Sequence, residues 1–384
     1  MANDKSFKIK NGLSVGTRYL QTGGADGSGT GPAYDIDNAS YSGISFDPSS
    51  QEPTPYALEF NNDGTKMYIV GVTNDTIYQY TLSTAYDVST ASYDSVSFSV
   101  ASQEANPYSL TFSSDGTKMY IVGYTSDTVF QYSLSTAYDL STASYSSVTF
   151  SVASQDTVPS DVIFNNNGTK MYMVGRSNDS IFQYTLSTAY DVSTSSYDSV
   201  SFSLASQDSQ PSSIMFNNDG TKLYATGTAS DAANQYSLST AYDLSTTSYD
   251  NVSFSFTSQE ANPLDMAFSA DGSKLFMVGQ TNDIIYQYST QALTQTLDLS
   301  TGTTFSFTPS GATTVSFTNA PASGKAIGFS VEINGDGSAI TWPSSVKWPS
   351  GVAPTATASK EVYAFVTTDG GTSYYGKLAG SDIA

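Results

Sequence analysis

Short apolar runs separated by turn residues fill about two thirds of the chain. In one unit, Tyr108-Ser-Leu-Thr-Phe alternates in polarity, and Lys118-Met-Tyr-Ile-Val-Gly is apolar throughout its centre. The first pattern is typical of a half-buried strand and the second of a strand covered on both faces. Asp115-Gly between them favours a hairpin, because this pair readily adopts positive φ angles. Val129–Leu134 and Val148–Val152 complete a unit of four predicted antiparallel strands.

The unit recurs five times with a constant period of 52 residues. Asp-Gly-Thr-Lys begins at Asp63, Asp115 and Asp219, and close variants begin at Asn167 and Asp271. A Tyr-Asp pair keeps the same phase at Tyr34, Tyr86, Tyr138, Tyr190 and Tyr242. Such periodicity indicates units that bury their apolar faces only against one another. Four strands per unit predict an all-β fold with a five-bladed β-propeller.

Ring closure is predicted from the phase of the strands. Ile44-Ser-Phe precedes the first three-strand set, whereas the pattern breaks near Thr294, after the last set. We therefore expect residues 43–47 to complete the fifth blade, so that the ring joins its beginning to its end.

The chain is predicted to have four parts. Residues 1–21 form an N-terminal attachment segment, 22–33 a glycine-rich linker, 34–293 the propeller and 294–384 a small C-terminal β-sandwich. Six short strands are expected in this last part, from Thr303 to Gly376.

Composition narrows the possible chemistry. The chain has neither Cys nor His, and its formal net charge is −21 with only 14 basic residues. Thiolate and imidazole sites are therefore excluded, which leaves carboxylates, Tyr, Lys and Arg as catalytic groups. The acidity argues against nucleic acid and anionic lipid as partners. No apolar run has the length of a signal peptide or membrane span, and no cofactor is expected.

The repeats differ from one another mainly in two connections. These are the loop before the first strand and the residue after the second strand's glycine, and both are expected at one end of the ring. Loops on a rigid scaffold often bind ligands, and Tyr and Arg are favoured contact residues. Tyr56, Tyr108, Tyr124 and Arg176 are the candidate ligand-binding residues. Neutral drift of exposed loops would explain the same variation.

Three carboxylates on the innermost strands could meet near the ring axis. They are Glu59, Asp161 and Asp265. A pair of carboxylates held roughly 5 to 10 Å apart could hydrolyse glycosides, and a cation site is also conceivable. Simple solvation in the channel is the third possibility, and the residues leave all three open.

Two resemblances suggest a function. Asp127-Thr-Val-Phe-Gln-Tyr after Asp115-Gly-Thr-Lys resembles the rhythm of WD40-type propellers, and the whole repeat resembles marine bacterial and phage surface proteins. Lys10-Asn-Gly-Leu-Ser-Val-Gly and the C-terminal motif Trp342-Pro-Ser-Ser-Val-Lys-Trp-Pro resemble segments of phage tail-fibre and virion proteins. The resemblance implies a homotrimer with Trp342 and Trp348 at the oligomer contact. An ordinary core Trp pair is the alternative.

The sequence is therefore interpreted as a bacteriophage fibre or appendage protein on the virion exterior. It would attach to other virion proteins through its N-terminal segment and bind a host cell-surface glycan or protein, without being an enzyme. One alternative is a purely structural capsid or tail decoration or spacer protein. The other is a carboxylate-dependent glycosidase of the five-bladed propeller type.

Overall fold

The computed structural model describes residues 14–15, 18–19, 34–290, 293–309, 313–335, 337, 339–349 and 351–382. These residues form strands and five short 3₁₀ turns. The propeller lies within residues 34–290, and the described residues from 293 to 382 belong to a second compact unit. In the N-terminal segment, β1 (Ser14–Val15) pairs with β2 (Arg18–Tyr19). The glycine-rich linker lies outside the described residues.

Five four-stranded antiparallel sheets confirm the predicted propeller. Strands A to D of each blade run from the ring axis outward. Blade 1 has β4 (Pro55–Phe60), β5 (Lys66–Gly71), β6 (Thr76–Leu82) and β7 (Ala91–Ser99); blade 2 has β8 (Pro107–Phe112), β9 (Lys118–Gly123), β10 (Thr128–Leu134) and β11 (Ala143–Ser151); blade 3 has β12 (Pro159–Phe164), β13 (Lys170–Gly175), β14 (Ser180–Leu186) and β15 (Ser195–Ser203). Blade 4 has β16 (Pro211–Phe216), β17 (Lys222–Gly227), β18 (Ala232–Leu238) and β19 (Thr247–Ser255). Blade 5 has β20 (Pro263–Phe268), β21 (Lys274–Gly279), β22 (Ile285–Ser289) and, from the start of the propeller sequence, β3 (Ser40–Phe46).

The ring closes as predicted. Strand β3 is the outermost strand of blade 5, next to β22. The inner strands of successive blades lie side by side, and that of blade 5 lies beside that of blade 1. Tyr34, the first Tyr-Asp marker, belongs to the same junction, because its backbone N–H donates to the carbonyl oxygen of Gly272 at 2.9 Å.

Strand D begins earlier than the sequence predicts. In blade 2 it starts at Ala143, in a stretch assigned from the sequence to a connection. The register with strand C shifts between Gln131 and Tyr132, and Ser147 has a φ of 57°. This bulge interrupts the alternation of polarity and conceals the first half of the strand.

The two constant motifs of the repeat contact each other. In blade 2 the hairpin residue Gly116 has a φ of 69°, and a Cβ there would lie 2.3 Å from the Tyr138 ring. The backbone N–H of Tyr138 in turn donates to the Gly116 carbonyl oxygen at 3.0 Å. Because the tyrosine lies flat on the hairpin, Asp-Gly and Tyr-Asp recur together.

Tyrosines of strand B link neighbouring blades. The hydroxyl of Tyr120 donates to the backbone oxygen of Tyr190 in the next blade at 2.7 Å, and Tyr68 and Tyr172 make the equivalent bond. Blade 5 has Phe276 at this position, and there the Lys274 ammonium donates to the Tyr86 oxygen at 2.7 Å instead. Each of these side chains therefore satisfies a partly buried carbonyl across a blade boundary.

The C-terminal unit is a small β domain of two sheets. One sheet contains β23 (Leu293–Asp298), β25 (Thr313–Thr318) and β27 (Ile340–Thr341); the other contains β24 (Thr304–Phe307), β26 (Ile327–Asn334), β29 (Lys360–Thr367), β30 (Tyr374–Gly380) and β28 (Val346–Lys347). Apolar residues of both sheets share one core, as expected of a sandwich. The sequence did not predict β23 or β28.

Within the described residues, no helix has the length and apolar character needed to cross a membrane.

Candidate functional site

The two ends of the ring differ in their connections. We call the end with the A–B hairpins and C–D connections, such as 61–65 and 83–90, the hairpin face. The opposite end, with B–C turns and D–A loops such as 72–75 and 100–106, is the loop face. Val72 N–H donates to the Thr54 carbonyl oxygen at 3.2 Å, so both variable connections lie on the loop face. This confirms the predicted arrangement of a constant and a variable end.

The inner strands pair with another strand on one edge only, which leaves backbone N–H groups directed toward the ring axis. Asp161 satisfies two of these groups, accepting from Val162 N at 2.7 Å and from Ile214 N of blade 4 at 2.9 Å. It also accepts from the Ser109 hydroxyl of blade 2 at 2.6 Å. Asp161 therefore joins three blades at the axis.

Asp265 has a similar role at the closing junction. Its carboxylate accepts from Met266 N and from Leu58 N of blade 1, both at 2.8 Å. Burial raises the pKa of Asp161, and burial together with the Asp161 charge raises that of Asp265 well above its usual range. Both oxygens of each group are held by donors of the scaffold.

Glu59 differs from these two residues. Its one hydrogen bond comes from Phe60 N at 2.9 Å to Oε1, which leaves Oε2 without a hydrogen-bond donor among the described residues. Protein surrounds the side chain, yet part of its surface remains accessible from the axial cavity. Burial, followed by the Asp161 charge, raises the pKa of Glu59 to about 8. Such a carboxyl exchanges its proton near neutral pH.

The structure brings the three predicted carboxylates together. Glu59, Asp161 and Asp265 line one axial cavity of about 70 Å³, with Ile163 and Met215 also in its wall. Those last two residues also line a larger depression of about 230 Å³ on the hairpin face. The depression is polar, with asparagines from several A–B hairpins at its rim, among them Asn62, Asn166 and Asn218. The sequence comparison directed attention to the loop face and missed this opening, because the hairpin residues hardly vary.

The described residues contain no group of three or more His, Cys, Asp or Glu residues arranged to hold a metal ion.

The four loop-face candidates also lie together. Tyr56 and Tyr108 are stacked, with ring centroids 4.6 Å apart and planes at 11°. Tyr124 lies 5.9 Å from Tyr108, and the Arg176 guanidinium lies over the Tyr108 ring at 5.8 Å. Tyr56 is buried beneath this cluster, whereas Tyr124 is 53% exposed.

Buried carboxylates that the sequence did not single out hold the loop face in place. Glu52 accepts from Thr54 N, Thr73 N and Asn74 N at 3.1 to 3.2 Å, and so ties the D–A loop to the B–C turn. Glu104, Asp156, Asp208 and Glu260 are buried at the equivalent positions. Asp127, in the B–C turn of blade 2, adopts a φ of 47°, and its carbonyl oxygen accepts from Val152 N at 2.9 Å, so this residue has a structural role in the turn.

In the C-terminal domain, the two tryptophans have different surroundings. Trp342 is buried in the domain core, and its ring centroid is 5.8 Å from that of Trp348. Trp348 lines an apolar groove of about 550 Å³ together with Phe365, Val366 and Tyr375. This placement favours the ordinary core alternative for Trp342, and the oligomer contact stays a prediction.

Residues 30–253, more than half of the chain, match the model of one protein family, described as lactonase, 7-bladed beta-propeller. The chain belongs to this lactonase family. Its ring departs from the family description, because it closes with five blades. A search of curated proteins found no match.

Membership of the lactonase family corrects two expectations. The interpretation as a phage virion fibre that recognises a host surface is wrong, and so is the expectation that the chain is not an enzyme. The segments that resemble fibre proteins lie at the two ends of the chain, outside the matched residues 30–253.

Solved structures resemble the chain at low sequence identity. A candidate 6-phosphogluconolactonase of Bacteroides uniformis is 15% identical, with a TM-score of 0.41, and the match covers 61% of this chain and 66% of that one. A protein of unknown function from Desulfotomaculum acetoxidans is 12% identical, with a TM-score of 0.38, and the match covers 59% of this chain and 62% of that one. A Lactobacillus plantarum protein is 14% identical, with a TM-score of 0.40, and the match covers 61% of this chain and 67% of that one. The match therefore spans less than two thirds of the first two chains.

Proposed function

We propose that the propeller hydrolyses a small lactone in the axial cavity, with Glu59 as the general base. The observation that carries this proposal is the free Oε2 of Glu59, in a carboxyl that the protein largely surrounds and whose pKa is raised to about 8. Membership of the lactonase family supports the same class of reaction.

The reaction needs one group that can accept a proton. Ionised Glu59 takes a proton from a water molecule as the water oxygen forms a bond to the lactone carbonyl carbon. The ring C–O bond then breaks, the ring oxygen leaves with a proton as a hydroxyl, and the product is a hydroxy acid. Protonated Glu59 supplies that proton, which restores the carboxylate for the next turnover.

Hydrolysis of a glycoside fits the cavity less well. That reaction uses two carboxyl groups, one as acid and one as base or nucleophile. Asp161 and Asp265 have both oxygens engaged by backbone N–H groups, so Glu59 is the carboxyl with an oxygen free to react. We assign Asp161 and Asp265 to positioning: they hold the inner strands, and the charge of Asp161 raises the pKa of Glu59.

The test is a pH-stat assay of the full chain on a panel of γ- and δ-lactones, because each hydrolysis releases one titratable acid. We expect turnover above the buffer rate for at least one lactone and its loss in Glu59→Gln. Asp94→Asn is the matched control, because Asp94 forms an outer ion pair with Lys66 at 2.7 Å, away from the axis. A wild-type rate equal to buffer across the panel, or full activity in Glu59→Gln, would refute the proposal.

A further inference from the structure

Arg176 is unusual among the basic residues of the propeller. The other basic residues between 34 and 290 are five lysines at equivalent positions, one at the start of each strand B, next to the hairpin face: Lys66, Lys118, Lys170, Lys222 and Lys274. Arg176 follows strand B of blade 3 and is the single basic residue of the loop face among the described residues. It therefore places one positive charge on an otherwise acidic or neutral surface.

The guanidinium lacks an anionic partner within the described part of the chain. Its Nε is buried without a hydrogen-bond partner, and no carboxylate forms an ion pair with it. Asp208 acts on it through space, but that carboxylate is engaged by Gln210 N at 2.7 Å and by Ser230 N at 2.8 Å. A partly buried charge without an anionic partner is costly, so an anion that pairs with the guanidinium would be favoured.

The surroundings of Arg176 select the rest of the ligand. The Arg176 guanidinium makes a cation–π contact with Tyr108, and the largely exposed ring of Tyr124 lies 5.9 Å from the same Tyr108 ring. Hydroxyls and an amide border the cluster. Asn106 donates to the Thr125 hydroxyl at 2.9 Å, and the Thr157 and Ser177 hydroxyls are 3.1 Å apart.

We propose that Arg176 and Tyr124 bind a sugar acid, with the carboxylate of a hexuronate on the Arg176 guanidinium and the sugar ring against Tyr124. A planar guanidinium suits a carboxylate in two-pronged geometry. The apolar face of a pyranose ring matches the exposed tyrosine, and its hydroxyls match the polar border. This site is on the loop face and does not depend on the proposed hydrolysis in the axial cavity.

The test compares two ligands that differ only in the charged group. The full chain is titrated with methyl glucuronoside and with methyl glucoside, and binding is followed by ligand-observed NMR. We expect saturable binding of the glucuronoside, at least about tenfold weaker binding of the glucoside, and weakening of glucuronoside binding by added salt. Equal binding of the two ligands, or binding of neither, would overturn the proposal.

Variants separate the site from the general acidity of the chain. Arg176→Gln should lose about tenfold or more in glucuronoside affinity. Arg176→Lys should retain only part of the wild-type affinity, because an ammonium cannot form the two parallel hydrogen bonds that a guanidinium forms with a carboxylate. Tyr124→Ala should weaken both ligands, and Asp94→Asn, on the outer surface, should change neither. Unaltered affinity in Arg176→Gln would contradict the proposed site, and a thermal melt equal to wild type shows that a loss does not come from unfolding. Because Glu59→Gln should bind the glucuronoside normally, failure of the hydrolysis proposal would leave this result unaffected.

Discussion

Replacing Gly116 by Ala should destabilise the propeller strongly, because two separate costs coincide there. The residue has a φ of 69°, where an L side chain costs about 1 kcal/mol or more. In addition, the new Cβ would lie 2.3 Å from ring atoms of Tyr138. That ring cannot move freely, because it packs against the Phe112 ring, with centroids 5.3 Å apart.

The sum of backbone strain and disrupted packing should reach about 3 kcal/mol. With a urea dependence of about 3 kcal/mol/M for a domain of this size, the unfolding midpoint should fall by about 1 M. Far-UV circular dichroism follows the propeller transition. Both tryptophans of the chain lie in the C-terminal domain, so Trp fluorescence follows that domain separately and should be unchanged.

Gly43→Ser is the matched control for backbone strain. Gly43 has a φ of 72°, but no atom lies within 4 Å of a Cβ added there. Ser95 and Ser147 adopt φ values of 58° and 57° at the equivalent bulge in other blades. The control should therefore change stability by only about 0.5 kcal/mol. Equal destabilisation by Gly116→Ala and Gly43→Ser would refute the steric part of the reasoning.

Two further predictions concern single side chains of the propeller. Tyr172→Phe removes the donor to the Tyr242 oxygen and should cost about 1 to 3 kcal/mol in urea unfolding, whereas Phe276→Tyr should gain little because Lys274 already satisfies the equivalent oxygen; similar effects of both changes would argue against the interblade bond. For Glu59, the folded-state pKa of about 8 exceeds the ordinary value of 4.5, so between these pH values the folded chain binds more protons than the unfolded chain does. The free energy of unfolding should therefore fall as the pH rises from 4.5 to 8. In unfolding experiments from pH 5 to 8.5, Glu59→Gln should reduce this loss of stability with rising pH. Lactone hydrolysis by the wild type should increase with pH up to an inflection near 8. A pH profile of stability that is the same in wild type and variant would contradict the assigned pKa.

Much of the propeller could be predicted because its determinants are local and repeated. The hairpin and Tyr-Asp markers fixed the period, and the phase of Ile44-Ser-Phe indicated closure by β3. The start of strand D was missed because a bulge breaks the two-residue alternation. In the C-terminal domain β28 was missed because it contains only Val346 and Lys347.

The candidate site was predictable in position but not in chemistry. Counting along the inner strands placed Glu59, Asp161 and Asp265 at the axis. The sequence could not show that backbone N–H groups of neighbouring blades engage two of them, because those partners lie about 50 or about 200 residues away in the chain. Likewise, stacking of Tyr56 on Tyr108 depends on the distance between two blades, which only the closed ring sets.

Closure by β3 has a consequence for biosynthesis. The strand Ser40–Phe46 leaves the ribosome before any blade exists, and its partner, Ile285–Ser289, follows about 240 residues later. Until then β3 lacks its partner strand, and its exposed edge is free to pair with other nascent chains, as unprotected strand edges do. The last blade can therefore be completed only after nearly the whole ring has been translated, so a chain that terminates early would keep its four finished blades in an open arc.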